Sequence, residues 1–566
     1  MASAGSSVLS IQYADEDPSA GDGGLQSKDP DGSGSQTSGS SSKAFAGEAR
    51  ECWAARYTFA LMAFLGLAVE YSLRVNLSIA IVAMAGTSEV SATSNASQDV
   101  CPLTNNGTDS GGKQTEGEFD WDEQTQGLVL GAFYYGYTLT NLVGGRASEH
   151  FGGRLVFGLG AATSSFISLL SPLCARTSTG LFIASRVLMG LSQSRGLKGR
   201  IPNALSRPSY SYVASEGHSA PGEQVFAVCT ANCAGVTMPA LNSLMATWYP
   251  PEERAKFGPL IYGGMQFGTI VCLPVSGWLS ASGFLGGWPS VFYVFGALGL
   301  LWGVPWFLLV HNRPESHPGI SAAELEFIAG HRNTVKKSEI VAIPWRAIIT
   351  SGPVWACVVM AWGGCFGFYA LLTELPTYLA NIQHFDMSNS GVLSALPYVC
   401  LWVIALLWGA LMDRLYASGH LSVRRIRRLS TAFASYTPAV ALVVMCFVNC
   451  NSTLAIVVLC VAVGCTGTSY SGSILTEQDI APNLAGTLVG ITNTVGSVTG
   501  FIAPAAVGAI TKGNQGSLSA WRTVFVVAIA TYVVTTTLYL FLMSSDVQAW
   551  NEPREVKKEV KEETRF

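Results

Sequence analysis

The sequence predicts an all-α membrane protein with twelve transmembrane helices in two six-helix bundles. Three observations carry this expectation. Only 12% of the 566 residues are charged and 49% are hydrophobic, a balance foreign to a soluble chain of this size. Windows such as 353–375 are nearly free of charge and exceed the roughly 20 residues that cross a bilayer as a helix. Basic residues collect on alternate connections, as the positive-inside rule requires of a chain that crosses many times.

Residues 1–50 open on polar, Gly/Ser-rich, weakly acidic sequence (GSGSQTSGSSSK) and lack the basic start and apolar core of a cleavable signal peptide. They read as a disordered cytosolic tail. Apolar spans then follow near 57–84, 125–145, 153–172, 179–193 (continued at 235–248), 258–280, 289–310, 353–375, 389–412, 429–448, 453–474, 485–510 and 521–543. With the N-terminus inside, the cytosolic connections hold Arg146 and Arg154, Arg254 and Lys256, Lys336 and Lys337, and Arg414, Arg424, Arg425, Arg427 and Arg428. Only Lys113, Arg176, Lys512 and Arg522 fall outside. The expected division is therefore an N-terminal bundle at 51–310, a charge- and Pro-rich cytosolic linker at 311–351, a C-terminal bundle at 352–545 and a cytosolic tail at 546–566. The outer loop 85–124 carries glycosylation sequons at Asn95 and Asn106.

The thirteen cysteines lie mostly inside apolar runs, with no CxxC and no Cys/His ligand spacing, so neither a metal nor a cofactor is expected. Cys101 and Cys174 both fall on the outer side, where a disulfide between them is an alternative to two free thiols. A net charge of −4 gives no indication of nucleic acid. No nucleophile, base and orienting-acid constellation and no phosphate loop is present, so an enzyme is not expected.

An internal repeat organises the chain. After the second span it reads GRASEHFGGR, containing Gly145, Glu149, Gly152 and Arg154; after the eighth it reads GALMDR, containing Gly409, Asp413 and Arg414. Both are glycine, acid and base at equivalent points of two halves, as in a duplicated bundle. Glycine permits close approach of two helix ends, and the acid and bases are expected to clamp a tight cytosolic turn that slides as the halves rock.

These paired motifs resemble those of the major facilitator superfamily. The blocks ARYTFALMAFLGLAVEYSLRVNLSIAIVAM, FDWDEQTQGLVLGAFYYGYTLTNLVGGR, PALNSLMATWYPPEERAK, LLTELPTYL and DIAPNLAGTLVGITNTVGSVTGFIAP are similar to the sialin, vesicular glutamate and type I sodium–phosphate anion transporter family within it. The resemblance covers about 50–193 and 235–550. It implies two six-helix bundles around a central cavity, and movement of a small anion by alternating access.

Arg74, near the middle of the first span, needs a reason for its charge at that depth. Either its planar guanidinium pairs with a carboxylate or phosphate substrate, or it forms a salt bridge to an interior acid such as Glu70, one turn earlier. The resemblance places the matching arginine in the central cavity. Arg186 in the fourth span follows the same logic. Tyr71 lies one turn before Arg74, and Tyr134, Tyr137 and Asn141 share a helix face at three- and four-residue spacing; the four either line the cavity or simply pack. Glu374 and Glu70 are intramembrane acids and candidates for ion coupling.

The chain departs from the family pattern in the fourth helix, where sialin-like members carry two glutamates, the second linked to proton coupling. Here Met189 and Gln193 occupy those positions, so the coupling ion, proton or sodium, is left open. An organic anion such as sialate or an acidic amino acid leads as substrate. A sodium-dependent inorganic phosphate cotransporter and a non-transporting sensor on the same fold are the alternatives. The chain is expected to act as a monomer in the bilayer, with no nucleic-acid partner, at the plasma membrane or a lysosomal or vesicular membrane. Residues 195–234 interrupt the fourth helix with Arg195, Lys198, Arg200, Arg207 and three prolines, which cannot span hydrocarbon; the segment is either a looped-out insertion or retained intron sequence.

Overall fold

A computed structural model of the chain describes residues 54–85, 101, 117–141, 152–194, 237–331, 343–383 and 385–551. The sequons Asn95 and Asn106, motif residues Gly145 and Glu149, the segment 195–234 and both tails' outer parts lie outside the described residues. The described helices are α1 (Ala55–Ala85), α2 (Glu123–Asn141), α3 (Gly153–Thr177), α4 (Thr179–Ser194), α5 (Thr237–Trp248), α6 (Pro251–Ala281), α7 (Pro289–Leu309), α8 (Ala322–His331), α9 (Trp345–Thr350), α10 (Gly352–Asn381), α11 (Met387–Ala417), α12 (Val423–Val448), α13 (Ser452–Thr466), α14 (Ser473–Ile480), α15 (Ala485–Ile510) and α16 (Leu518–Leu542).

Ten segments among the described residues are long and apolar enough to cross a membrane. The other two of the twelve are α2 and the pair α4 and α5. α2 is more polar because its faces are spent on protein: it packs between α4 of its own half and α15 of the other. α4 and α5 both lie along α3, so the fourth span is carried by two pieces. Two six-helix bundles result, and they meet along α2 with α15 and along α6 with α11. Where helices cross, backbone touches backbone. A Cβ on Gly190 of α4 would lie 1.8 Å from the Phe133 carbonyl of α2, a distance only hydrogen at that position permits.

The two halves are closed against each other at the end that follows α1 and precedes α2. Gly277 of α6 and Gly391 of α11 face one another, with 3.1 Å between the position of a Cβ on either and the other's Cα. Glu123 accepts from the Gly513 N–H at 3.1 Å, and Lys512 Nζ donates to Gln124 Oε1 at 2.9 Å. Cys101 of the first outer loop is joined to Cys450 between α12 and α13. This corrects the pairing weighed for Cys101 with Cys174: Cys174 is a free thiol. Nearby, Arg176 donates to Glu118 at 2.8 Å and holds that carboxyl below the usual carboxylate range.

The linker between the halves is not a plain loop. α8 docks on the N-terminal bundle, where the Glu324 carboxylate accepts from the backbone N–H groups of Ala55 and Arg56, both at 3.1 Å, and so caps the start of α1. The repeat motif behaves differently in its two copies. Gly152 has φ of 82°, and the N–H of Arg154 donates to Asn312 Oδ1 at 2.9 Å, while its guanidinium donates to the Phe307 carbonyl. In the second copy Asp413 and Arg414 are exposed and form no ion pair among the described residues. Nothing approaches a Cβ on Gly409 closer than 3.8 Å. No described residue clamps this second copy. Nearby, Arg427 donates to Asp479 at 2.7 Å and to the Ser471 carbonyl at 2.9 Å, because the break between α13 and α14 brings Asp479 under α12.

Candidate functional site

α1 is the most enclosed of the spans, with 83% of its apolar window buried inside the protein, and it carries Arg74 to the seam between the halves. Arg74 is only 8% exposed. Its Nε donates to Tyr134 Oη of α2 at 3.3 Å, and its Nη2 to Tyr369 Oη of α10 at 2.9 Å. Around the guanidinium stand the rings of Tyr71, Phe133, Tyr134, Tyr137 and Tyr369, with centroids 4.6–5.3 Å from Cζ. Ring quadrupoles at that range attract a cation. The alternative of a salt bridge between Arg74 and Glu70 is not realised: Arg74 forms no ion pair among the described residues.

Arg186 of α4 comes from the other side and is 1% exposed. Its two terminal nitrogens donate to the backbone carbonyls of Leu73 and Arg74, both at 3.4 Å, and Nη1 also approaches Met189 Sδ at 3.7 Å. Its Nε has no hydrogen-bond partner. A small cavity between the two arginines is lined by Arg74, Arg186, Tyr134, Ser78, Leu372 and Thr373, together with apolar neighbours. Its free space, about 10 Å³, is that of roughly one water molecule, so the site is contracted in this conformation.

Two buried guanidinium groups without a carboxylate partner are costly, several kcal/mol each, unless an anion completes the site. Phenols and carbonyls soften that cost without cancelling the charge. The arrangement is thus an enclosed, doubly positive pocket whose donors match a carboxylate or a phosphate.

Of the residues singled out from the sequence, the structure brings Arg74, Arg186, Tyr71, Tyr134 and Tyr137 together. Asn141 is the last residue of α2, and its side chain lies outside the described part. Glu70 is buried on α1. Glu374 is buried too, but lines a different cavity on the far side of α10. Met189, at a position where the resemblance implied an acid, is fully buried among Leu73, Phe133 and Tyr134. Sequence reasoning missed Tyr369 and Phe133. Tyr369 sits on a helix nearly three hundred residues from Arg74, and no spacing within α10 could have pointed to it. Among the described residues no group of three or more His, Cys, Asp or Glu could hold a metal.

Comparison with known proteins follows the same lines. A family profile described as Major Facilitator Superfamily matches residues 62–196 and 218–504. Sialin of Homo sapiens is 33% identical over 88% of this chain and 91% of its own length. A chain of Drosophila melanogaster provisionally named an inorganic phosphate cotransporter is 32% identical over 89% of this chain and 88% of its own. Vesicular glutamate transporter 3 of Danio rerio is 30% identical over 89% of this chain and 75% of its own. Among solved structures, a bacterial homolog of the human lysosomal transporter Spinster, inward-facing and occupied, superposes with a TM-score of 0.55 at 14% identity, covering 86% of this chain and 96% of that one. A D-xylose–proton symporter does so at 0.56 and 12%, covering 87% and 99%. At such identities the agreement is one of fold.

Proposed function

The chain belongs to the Major Facilitator Superfamily, and on that premise we propose that it is a secondary active transporter of small anions working by alternating access. The observation that carries the reading is the pair Arg74 and Arg186, buried, without a carboxylate partner among the described residues and facing one cavity. A site for a cation would present unpaired acids there instead. The aromatic cage suits an organic anion with an apolar body, sialate or an acidic amino acid, since rings cover carbon while guanidinium takes the carboxylate. Relatives named for sialin and for glutamate transport support that order. The second reading, inorganic phosphate with sodium, is favoured by the Drosophila relative and by the same two donors.

The protein is a multi-pass membrane protein of the plasma membrane or of a lysosomal or vesicular membrane, acts as a monomer, and uses no cofactor; no catalytic role is assigned to it. Uptake of labelled sialate, glutamate and phosphate into proteoliposomes, under separate proton and sodium gradients, tests substrate and coupling together. Uptake of none of the three by correctly folded protein would remove the transporter reading and leave a sensor.

A further inference from the structure

A second cavity lies within the C-terminal bundle, between α10, α13 and α16, with free space of about 20 Å³. Its wall is mostly apolar, made of side chains such as Leu371, Leu459, Val524 and Phe525, and Glu374 is the one acid in it. That carboxyl is 6% exposed and makes no hydrogen bond or ion pair among the described residues. No charged side chain joins it in the lining. Tyr378 is the other titratable group there, and its hydroxyl accepts from Gln383 Nε2 at 3.2 Å. On α16 the neighbouring Arg522 turns away, donating to the Cys446 carbonyl at 2.9 Å and Asn449 Oδ1 at 2.7 Å. α13 contributes Leu459 alone.

The position of Glu374 on α10 matters as much as its burial. Leu372 and Thr373 line the anion cavity, while Leu371, Glu374 and Leu375 line this one. A single helix wall therefore separates the two. That wall is weakened at its next turn, because Pro376 stands inside α10 and supplies no N–H to the Leu372 carbonyl. Five residues before Glu374 on the same helix, Tyr369 holds Arg74.

We propose that this cavity is a proton-binding site with the Glu374 carboxyl as acceptor, and that its occupancy is coupled through α10 to the anion pocket. Binding converts a carboxylate and one proton into a neutral carboxylic acid, with no bond broken elsewhere. The neutral acid is the form an apolar cavity accepts, whereas the carboxylate must recover water or a partner, which requires α10 to move. Movement of α10 carries Tyr369, Leu372 and Thr373 with it and so alters the grip on the anion. A sodium ion is a poor occupant: hard cations take several oxygen ligands, and the lining supplies only the carboxylate and a phenol already engaged. The site would supply in the C-terminal bundle the titratable group that Met189 and Gln193 do not provide in the fourth span. This inference rests on the transporter reading above.

Two measurements on wild type and Glu374→Gln in proteoliposomes test it. Infrared difference spectra between acidic and alkaline medium should show a neutral-carboxyl carbonyl band that the variant lacks; a band unchanged in the variant overturns the proposal. For transport, the probe is whichever of glutamate, sialate or phosphate the wild type takes up. A pH difference of one unit is worth about 1.4 kcal/mol per proton, or about tenfold accumulation. The variant should lose that tenfold while exchanging labelled for unlabelled probe at near wild-type rate. Retained proton-driven accumulation refutes the coupling, and equal loss of exchange and accumulation refutes it in favour of a packing role. If the wild type takes up no probe but shows the band, the transporter reading has failed while the proton site stands.

Discussion

Cys101 and Cys450 are joined across 349 residues of sequence, their Cα atoms 5.4 Å apart, and the bond ties the first outer loop of one half to the outer tip of the other. The halves of this protein are thus held covalently on the outer side as well as through the linker 311–351 on the inner. If a protease site is engineered between His331 and Ile343 and cut, the halves should migrate together on a non-reducing gel. They should separate on reduction, or in a Cys450→Ser variant without it. Separation of the cut wild type without reductant would show that the bond is not formed.

At the seam, Arg74 and Arg186 are expected to be irreplaceable for uptake. Arg74→Ala or Arg186→Ala should abolish it while leaving folded protein in the membrane, and Arg74→Lys should rescue poorly, because an ammonium lacks the planar fork that reaches Tyr134 and Tyr369 together. Tyr369→Phe removes one bond to a charged donor, an interaction of about 1.5–3 kcal/mol, and should raise KM by roughly an order of magnitude or more with a smaller change in maximal rate. Normal uptake by Arg74→Ala would contradict the anion site.

Gly190 offers a test of packing that touches no charged group. Its place against the Phe133 carbonyl leaves no room for a methyl, and overpacking of this kind costs about 1–3 kcal/mol. Gly190→Ala should lower the melting temperature in detergent and separate α4 from α2, with uptake falling because Phe133 and Arg186 belong to these helices. A melting curve indistinguishable from wild type would mean the two backbones are not in contact.

The fourth span carries a prediction of its own. α4 ends at Ser194 and α5 begins at Thr237, both against α3. Deleting 195–234 should let the helix continue and improve expression and uptake, and transcripts lacking the segment should be found. If every transcript includes it and its deletion abolishes transport, the segment is a functional insertion.

The helical spans were legible in the sequence by itself, since each rests on a local quantity, the length of an apolar run; the expected orientation rests likewise on the side where flanking charges fall. The sequence also pointed to Arg74 and Arg186, because a charge at bilayer depth is anomalous wherever its partners are. Partnership was what only the tertiary structure decided. Nothing near Cys101 in the chain distinguishes Cys450 from Cys174, nothing in α10 announces that Tyr369 meets Arg74, and nothing around Arg427 announces that it meets Asp479. Glu374 was legible as an intramembrane acid, yet its cavity, one helix wall away from the anion pocket, exists only once α10, α13 and α16 are packed. Such contacts depend on how helices from two halves cross, and a single helix's own sequence carries no record of the backbone it will lie against.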